Sequence, residues 1–276
     1  FQCVNPELGM GMITQTEISS VHTIFNIGTT ILLFPVSDWI IRLAKRLQKS
    51  EEDKGDEGRV LLDDRMLETP AIALQSVESE VCRMGAIVCG TLDKVKQVMF
   101  TKDSDTIQAI KEDESTVDRL CSGITDYLIR INSLAINERE HQRVAGLLQI
   151  VSDIERVGDY CENISEYAEE LKMQNASFSE VASREMKEML EVCSGSFSCA
   201  MEALAEKSRD KAMEVIGKES RADDLEIQMR AEHMKRLANQ ECSPEAGIAF
   251  LDALAGLERI SDHARNIAEE ICPEHC

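Results

Sequence analysis

"IERVGDYCENISEYAEE" (154–170) and "LERISDHARNIAEEI" (257–271) are two versions of one segment, and their likeness decides the fold. They align without a gap at an offset of 103, so Glu155, Asp159, Asn163, Ile164 and Glu166 match Glu258, Asp262, Asn266, Ile267 and Glu269. A second match lies upstream at an offset of 105, where Glu114, Asp118 and Leu120 correspond to Glu219, Asp223 and Leu225. Self-similarity at a fixed spacing marks a duplicated structural unit. Apolar residues around these segments recur in steps of three and four, the period of a helix with one buried face. After Pro70 the stripe Leu74, Val77, Val81, Met84, Val88, Leu92, Val95 and Met99 opens the first copy. Helices over about 103–130 and 139–172 complete it, and a second set falls near 183–207, 210–238 and 244–272. The sequence therefore predicts an all-α fold, a tandem pair of three-helix bundles at 71–173 and 174–276.

Composition agrees. Aromatic residues make up only 4% of the chain, and its few prolines and glycines do not suit a sheet rich in tight turns. The formal charge of −21, from 51 acids and 30 bases, excludes a nucleic-acid binder, which needs a basic footprint to neutralise phosphates. Ten cysteines are scattered without a CxxC, mostly at positions where a helix needs a small apolar residue. They read as reduced core thiols and not as a metal or disulfide framework.

The front of the chain differs from the rest. From Ser19 to Ser37 there is no Asp, Glu, Lys or Arg, and a helix of that length would cover about 28 Å, close to the apolar thickness of a bilayer. Trp39 then sits where interfacial aromatics are found, followed by Arg42, Lys45, Arg46 and Lys49. Basic residues beyond a span mark the cytoplasmic side, so one transmembrane helix over about 18–41 is predicted, with residues 49–276 cytoplasmic. The other reading is a buried helix, which the polar His22, Thr23 and Asn26 keep open. Such groups are costly against lipid and call for neighbouring helices. Together with a first residue that is Phe and not Met, this raises the expectation that further membrane helices precede residue 1. Residues 1–48 are thus read as the end of a membrane domain, and the charged, glycine-broken stretch 49–70 as a linker.

The repeated acids carry the chemistry. Each copy has one Glu-x-x-x-Asp pair on its second helix (Glu114/Asp118, Glu219/Asp223) and one on its third (Glu155/Asp159, Glu258/Asp262). Acids four apart share a helix face and repel. In so acidic a chain single pairs arise by chance, so the signal is their recurrence at equivalent places. Glu114 lies on the apolar stripe Ile107, Ile110, Val117, Cys121 and Ile124, where an uncompensated carboxylate is costly. Carboxylates converging between two helices would form an oxygen site for iron, manganese or magnesium, with zinc also accommodated. The competing reading is a solvated acidic face with copied salt bridges to Arg156 and Arg259. A ferritin-like di-iron oxidase needs two Glu-x-x-His motifs. Only Glu138 and His141 fit, and the equivalent Glu241 is followed by Pro244. No phosphate-cradling loop or nucleophile elbow is present, so no enzymatic activity is predicted.

These segments resemble the PhoU family, proteins built as tandem three-helix bundles that bind multinuclear metal clusters through E/D-x-x-x-D motifs and act in phosphate regulation. "VHTIFNIGTTILLFPV" (21–36) resembles a helix near the end of the membrane domain of type II sodium/phosphate cotransporters (the PNaS group), and "LLDDRMLETPAIALQSVESEVCRMG" (61–85) resembles the joint of bacterial members with a C-terminal PhoU-like domain. The resemblance implies that Glu114, Asp118, Glu155, Asp159, Glu219, Asp223, Glu258 and Asp262 supply metal ligands, one iron or zinc cluster per bundle. It makes Asn163 and Asn266 ligands or donors to ligands, and gives His22 and Asn26 a packing role in the membrane motif. It further implies an inner-membrane protein of bacteria that moves phosphate with sodium, regulated by its PhoU-like part and able to self-associate. The Gln-Ser-Ser transport motifs of that group are absent from this sequence, so this chain alone is not expected to transport phosphate. The alternative is a PhoU-like metal-binding adaptor in phosphate signalling, anchored or soluble, that does not transport.

Overall fold

The computed structural model describes residues 60–272. The transmembrane helix read at 18–41, its His22 and Asn26, and the first part of the linker lie outside them. Among the described residues no helix is long and apolar enough to cross a membrane. Six long helices follow a short 3-10 turn at Asp64–Glu68: α1 (Pro70–Thr101), α2 (Ser104–Asn132), α3 (Glu138–Met173), α4 (Glu180–Glu206), α5 (Arg209–Ala238) and α6 (Pro244–Ile271). They agree with the helices read from the sequence to within a few residues.

Five of the six helices start at a side-chain cap, and α1 starts at a proline without one. Asp103, Ser179, Ser208 and Ser243 accept from backbone N–H groups at the start of α2, α4, α5 and α6. Asn137 and Glu140 form a reciprocal capping box on α3, satisfying two donors that a helix start leaves unpaired. Pro70 and Pro244 occupy first-turn positions, where a missing N–H costs nothing. The α1–α2 and α4–α5 corners are copies of each other. Lys102 and Lys207 end the first helix in the left-handed region (φ 53° and 52°), and an N-cap follows at once.

Helices α1–α3 pack on one another, as do α4–α6, and the two bundles join through α3 against α6 and α1 against α4. Every residue of the stripe from Leu74 to Met99 is at most 1% exposed. Burying such a side chain contributes about 1.5–3 kcal/mol, so the stripe outweighs the modest intrinsic propensity of a Val-rich helix. At the α1–α4 seam a Cβ on Gly85 would stand 2.2 Å from Met201 Cε, so the flexible Met201 side chain fills the space that a larger residue there would need. The described cysteines are free thiols, with Cys161, Cys193 and Cys199 buried.

The linker reading needs one correction. From Val60 onward the chain is docked, because charge gives way to Val60, Leu62, Met66 and Leu67, which pack against the core. Tyr127 Oη donates to the Asp63 carbonyl at 2.8 Å, Arg130 pairs with Asp64 at 2.8 Å, and the Leu61 amide donates to Glu80 at 3.1 Å.

Candidate metal centres

Helical geometry puts residues four apart on one face, so Glu114 and Asp118 project together from α2 and Glu219 and Asp223 from α5. Packing of α2 on α3, and of α5 on α6, brings one more acid to each pair. Glu114, Asp118 and Asp159 each offer a carboxylate oxygen within 4.8 Å of the others, and Glu219, Asp223 and Asp262 do the same. The two trios occupy equivalent places in the repeat. Glu219 is buried, and Asp223 Oδ1 is shielded from solvent without a hydrogen-bond partner among the described residues.

Electrostatics show what this proximity costs. Burial, followed by repulsion from Asp118 and Glu162, pushes the Glu114 carboxyl up to about 7. Burial, reinforced by Asp159, raises Glu155, and burial also raises Asp159. In the second copy burial, then Glu219 and Asp262, raises Asp223, while burial and Asp262 raise Glu258. Several carboxyl groups are thus held where ionisation is disfavoured, and a bound cation would reverse that penalty. Oxygen donors converging from two rigid helices suit a hard divalent ion or iron, and zinc also accepts carboxylates.

Not every predicted ligand joins these trios. Glu155 and Glu258 border the clusters and lie near the rim arginines, with Arg156 at 3.8 Å from Glu155 and Arg259 at 3.5 Å from Glu258. The same arginines reach Asp159 at 3.4 Å and Asp262 at 3.0 Å. The competing reading of copied salt bridges therefore describes the rim correctly. Both arginine side chains are 59% exposed, so these bridges are weak and leave Glu114 and Glu219 untouched.

The two asparagines separate. Asn266 Nδ2 donates to Asp153 Oδ1 at 3.2 Å, across the joint between bundles. Asp153 is 2% exposed and also meets His263 Nδ1 at 2.8 Å and Gln149 Nε2 at 3.0 Å. At the 103-residue offset, the counterpart of Asp153 is Gly256. There Asn163 lines a cavity of about 200 Å³ with Tyr160, Tyr167, Asp252, Gly256 and Arg259.

Sequence reasoning missed Asp153 and His263, and it also missed Arg265. The signal for all three was where the two aligned segments disagree, not where they match: Asp153 against Gly256, Tyr160 against His263, Glu162 against Arg265.

The family model described as the PhoU domain matches twice, at residues 81–168 and 186–271, once on each bundle and together over more than half of the chain. The chain belongs to the PhoU family. Phosphate-specific transport system accessory protein PhoU homolog 1 of Thermotoga maritima is 23% identical over 202 residues, covering 72% of this chain and 85% of that protein. The putative inorganic phosphate export protein YjbB of Salmonella typhimurium is 22% identical over 253 residues, 91% of this chain but only 46% of that protein. PhoU from Pseudomonas aeruginosa superimposes with a TM-score of 0.68 at 23% identity, over 72% of this chain and 94% of the other. That likeness carries the fold, and it fits the tandem bundles predicted from the repeat.

Proposed function

We propose that residues 71–276 form a regulatory, non-catalytic PhoU module in which metal held by the paired carboxylates sets the contacts the module makes in the control of phosphate transport. The observation that carries this is the coincidence of two features. Each copy matches the PhoU domain, and each brings three carboxylates from two helices within 4.8 Å. Glu114, Asp118 and Asp159 would hold the first metal group and Glu219, Asp223 and Asp262 the second. Glu155 and Glu258 are within reach of additional ions, and iron, zinc, manganese and magnesium all fit the oxygen donors. The name of the Thermotoga maritima relative supports the tie to phosphate transport. The adaptor reading, in which the chain signals and does not transport, leads for this reason.

One observation favours a second reading. The match to YjbB takes in 91% of this chain, so it extends beyond the bundles into the segment that carries the hydrophobic span. In that reading the module is the cytoplasmic part of an inner-membrane phosphate carrier, and the finer version has sodium driving phosphate through helices packed around His22 and Asn26. The module would then gate the carrier or oligomerise with it.

Deleting residues 71–276 in cells, then measuring phosphate flux together with the response to phosphate starvation, tests the proposal. The module reading expects the response to be altered, and flux carried by the same protein to lose its regulation. Unchanged flux and an unchanged response would overturn it.

A further inference from the structure

The repeat breaks at one place where its chemistry is concentrated. Position 265 is Arg, and its counterpart at the 103-residue offset is Glu162. Arg265 Nη1 donates to Glu219 Oε1 at 2.8 Å, and its Nε donates to Glu269 Oε1 at 2.7 Å. Glu219 is 4% exposed, so the most buried acid of the second trio already has a cation against it. Its counterpart Glu114 has no ion-pair partner among the described residues. Glu162 adds negative charge there instead, and Lys111, on the same helix as Glu114, is held by Glu169 at 3.2 Å.

We infer that Arg265 is a built-in counter-ion of the second cluster, so the two clusters take metal unequally: the Glu114/Asp118/Asp159 trio first and tightly, the Glu219/Asp223/Asp262 trio later and more weakly. This deepens the metal reading above and rests on it. Each trio has an exposed rim arginine on its third-helix Asp (Arg156 on Asp159, Arg259 on Asp262), so the two differ at the glutamate, where a metal entering the first trio has no guanidinium to displace. Entering the second, it must displace a guanidinium from Glu219 and then sit beside that positive charge. Displacement is feasible because the Arg265 side chain is 43% exposed and Glu269, one turn away on the same helix, offers it a resting partner. One residue thus turns a duplicated site into two steps of occupancy, so the module can respond to metal over a wider concentration range than two equal sites would.

Calorimetric titration of the chelator-stripped full chain with Mn²⁺ tests this. Two classes of site are expected, differing by at least about tenfold in affinity, since a close like charge in a partly screened site costs on that order. Asp118→Asn should delete the tight class and Asp223→Asn the weak one, which assigns them. Arg265→Glu, which copies the first cluster's residue, should tighten the weak class until the two nearly merge, with the milder Arg265→Gln falling between. Glu162→Arg should weaken the tight class. Circular dichroism checks that each variant is helical. Two classes of equal affinity in the wild type would overturn the inference. So would a weak class unmoved in both folded Arg265 variants. A folded wild type that binds no Mn²⁺ at all would overturn the metal reading, and this inference with it.

Discussion

The two acid clusters are copies that have diverged, and the contrast between them separates scaffold from chemistry. What the repeat keeps is the arrangement: capped helices, lysine-ended corners, and a Glu-x-x-x-Asp pair on the second helix facing an Asp on the third. What it changes is the charge around that arrangement. In the first copy burial, then repulsion from Asp118 and Glu162, pushes Glu114 up to about 7, whereas in the second Glu219 lies against Arg265. A scaffold kept for stability alone gives no reason to retain both sets of strained carboxylates, because an apolar pair would cost less.

The largest expected effect breaks the first copy outright. Replacing Asp118 and Asp159 by Ala together should lower metal affinity at that cluster by more than about 100-fold while leaving the second cluster loaded, as metal titration of the double variant would show. Next comes the joint between bundles. Asp153→Ala removes the acceptor shared by Gln149, His263 and Asn266 and should destabilise the fold by about 1–3 kcal/mol in chemical denaturation. Asn163→Ala, at the place equivalent to Asn266 but beside an open cavity, should change stability by less than about 0.5 kcal/mol.

The pH dependence sharpens the contrast further. In the metal-free fold Glu114 keeps its proton up to about pH 7, whereas the unfolded chain loses it near 4.5. Between those values the folded state binds more protons, so metal-free stability should fall as pH rises through that window. Metal must displace the same proton, so below pH 7 affinity at the first cluster should drop by about tenfold per pH unit and level off above it. Measuring Mn²⁺ affinity and proton release at several pH values checks both signs. The smallest effect belongs to the rim, where Arg156→Ala should alter stability by under about 0.5 kcal/mol because its bridges are long and solvated.

Much of this was legible in the sequence. Steps of three and four gave the α1 stripe, and the offset repeat gave two bundles with both trios at matching places. Helix period and duplication survive in one sequence because they are local, and they were enough. The bond from Asn266 to Asp153 was not legible, because Asp153 lies on another helix more than a hundred residues away, at a position where the two copies differ. The docking of 60–69 was hidden because apolar residues interspersed with charges do not announce which surface they cover.

The central expectation is metal between the second and third helix of each copy. Crystals of the full chain grown with Mn²⁺, with anomalous scattering recorded at the manganese edge, would locate it. We expect a peak within about 2–2.5 Å of the Glu114, Asp118 and Asp159 carboxylates, and a second, lower-occupancy peak beside Glu219, Asp223 and Asp262. Well-ordered helices with no peak at either trio would contradict it.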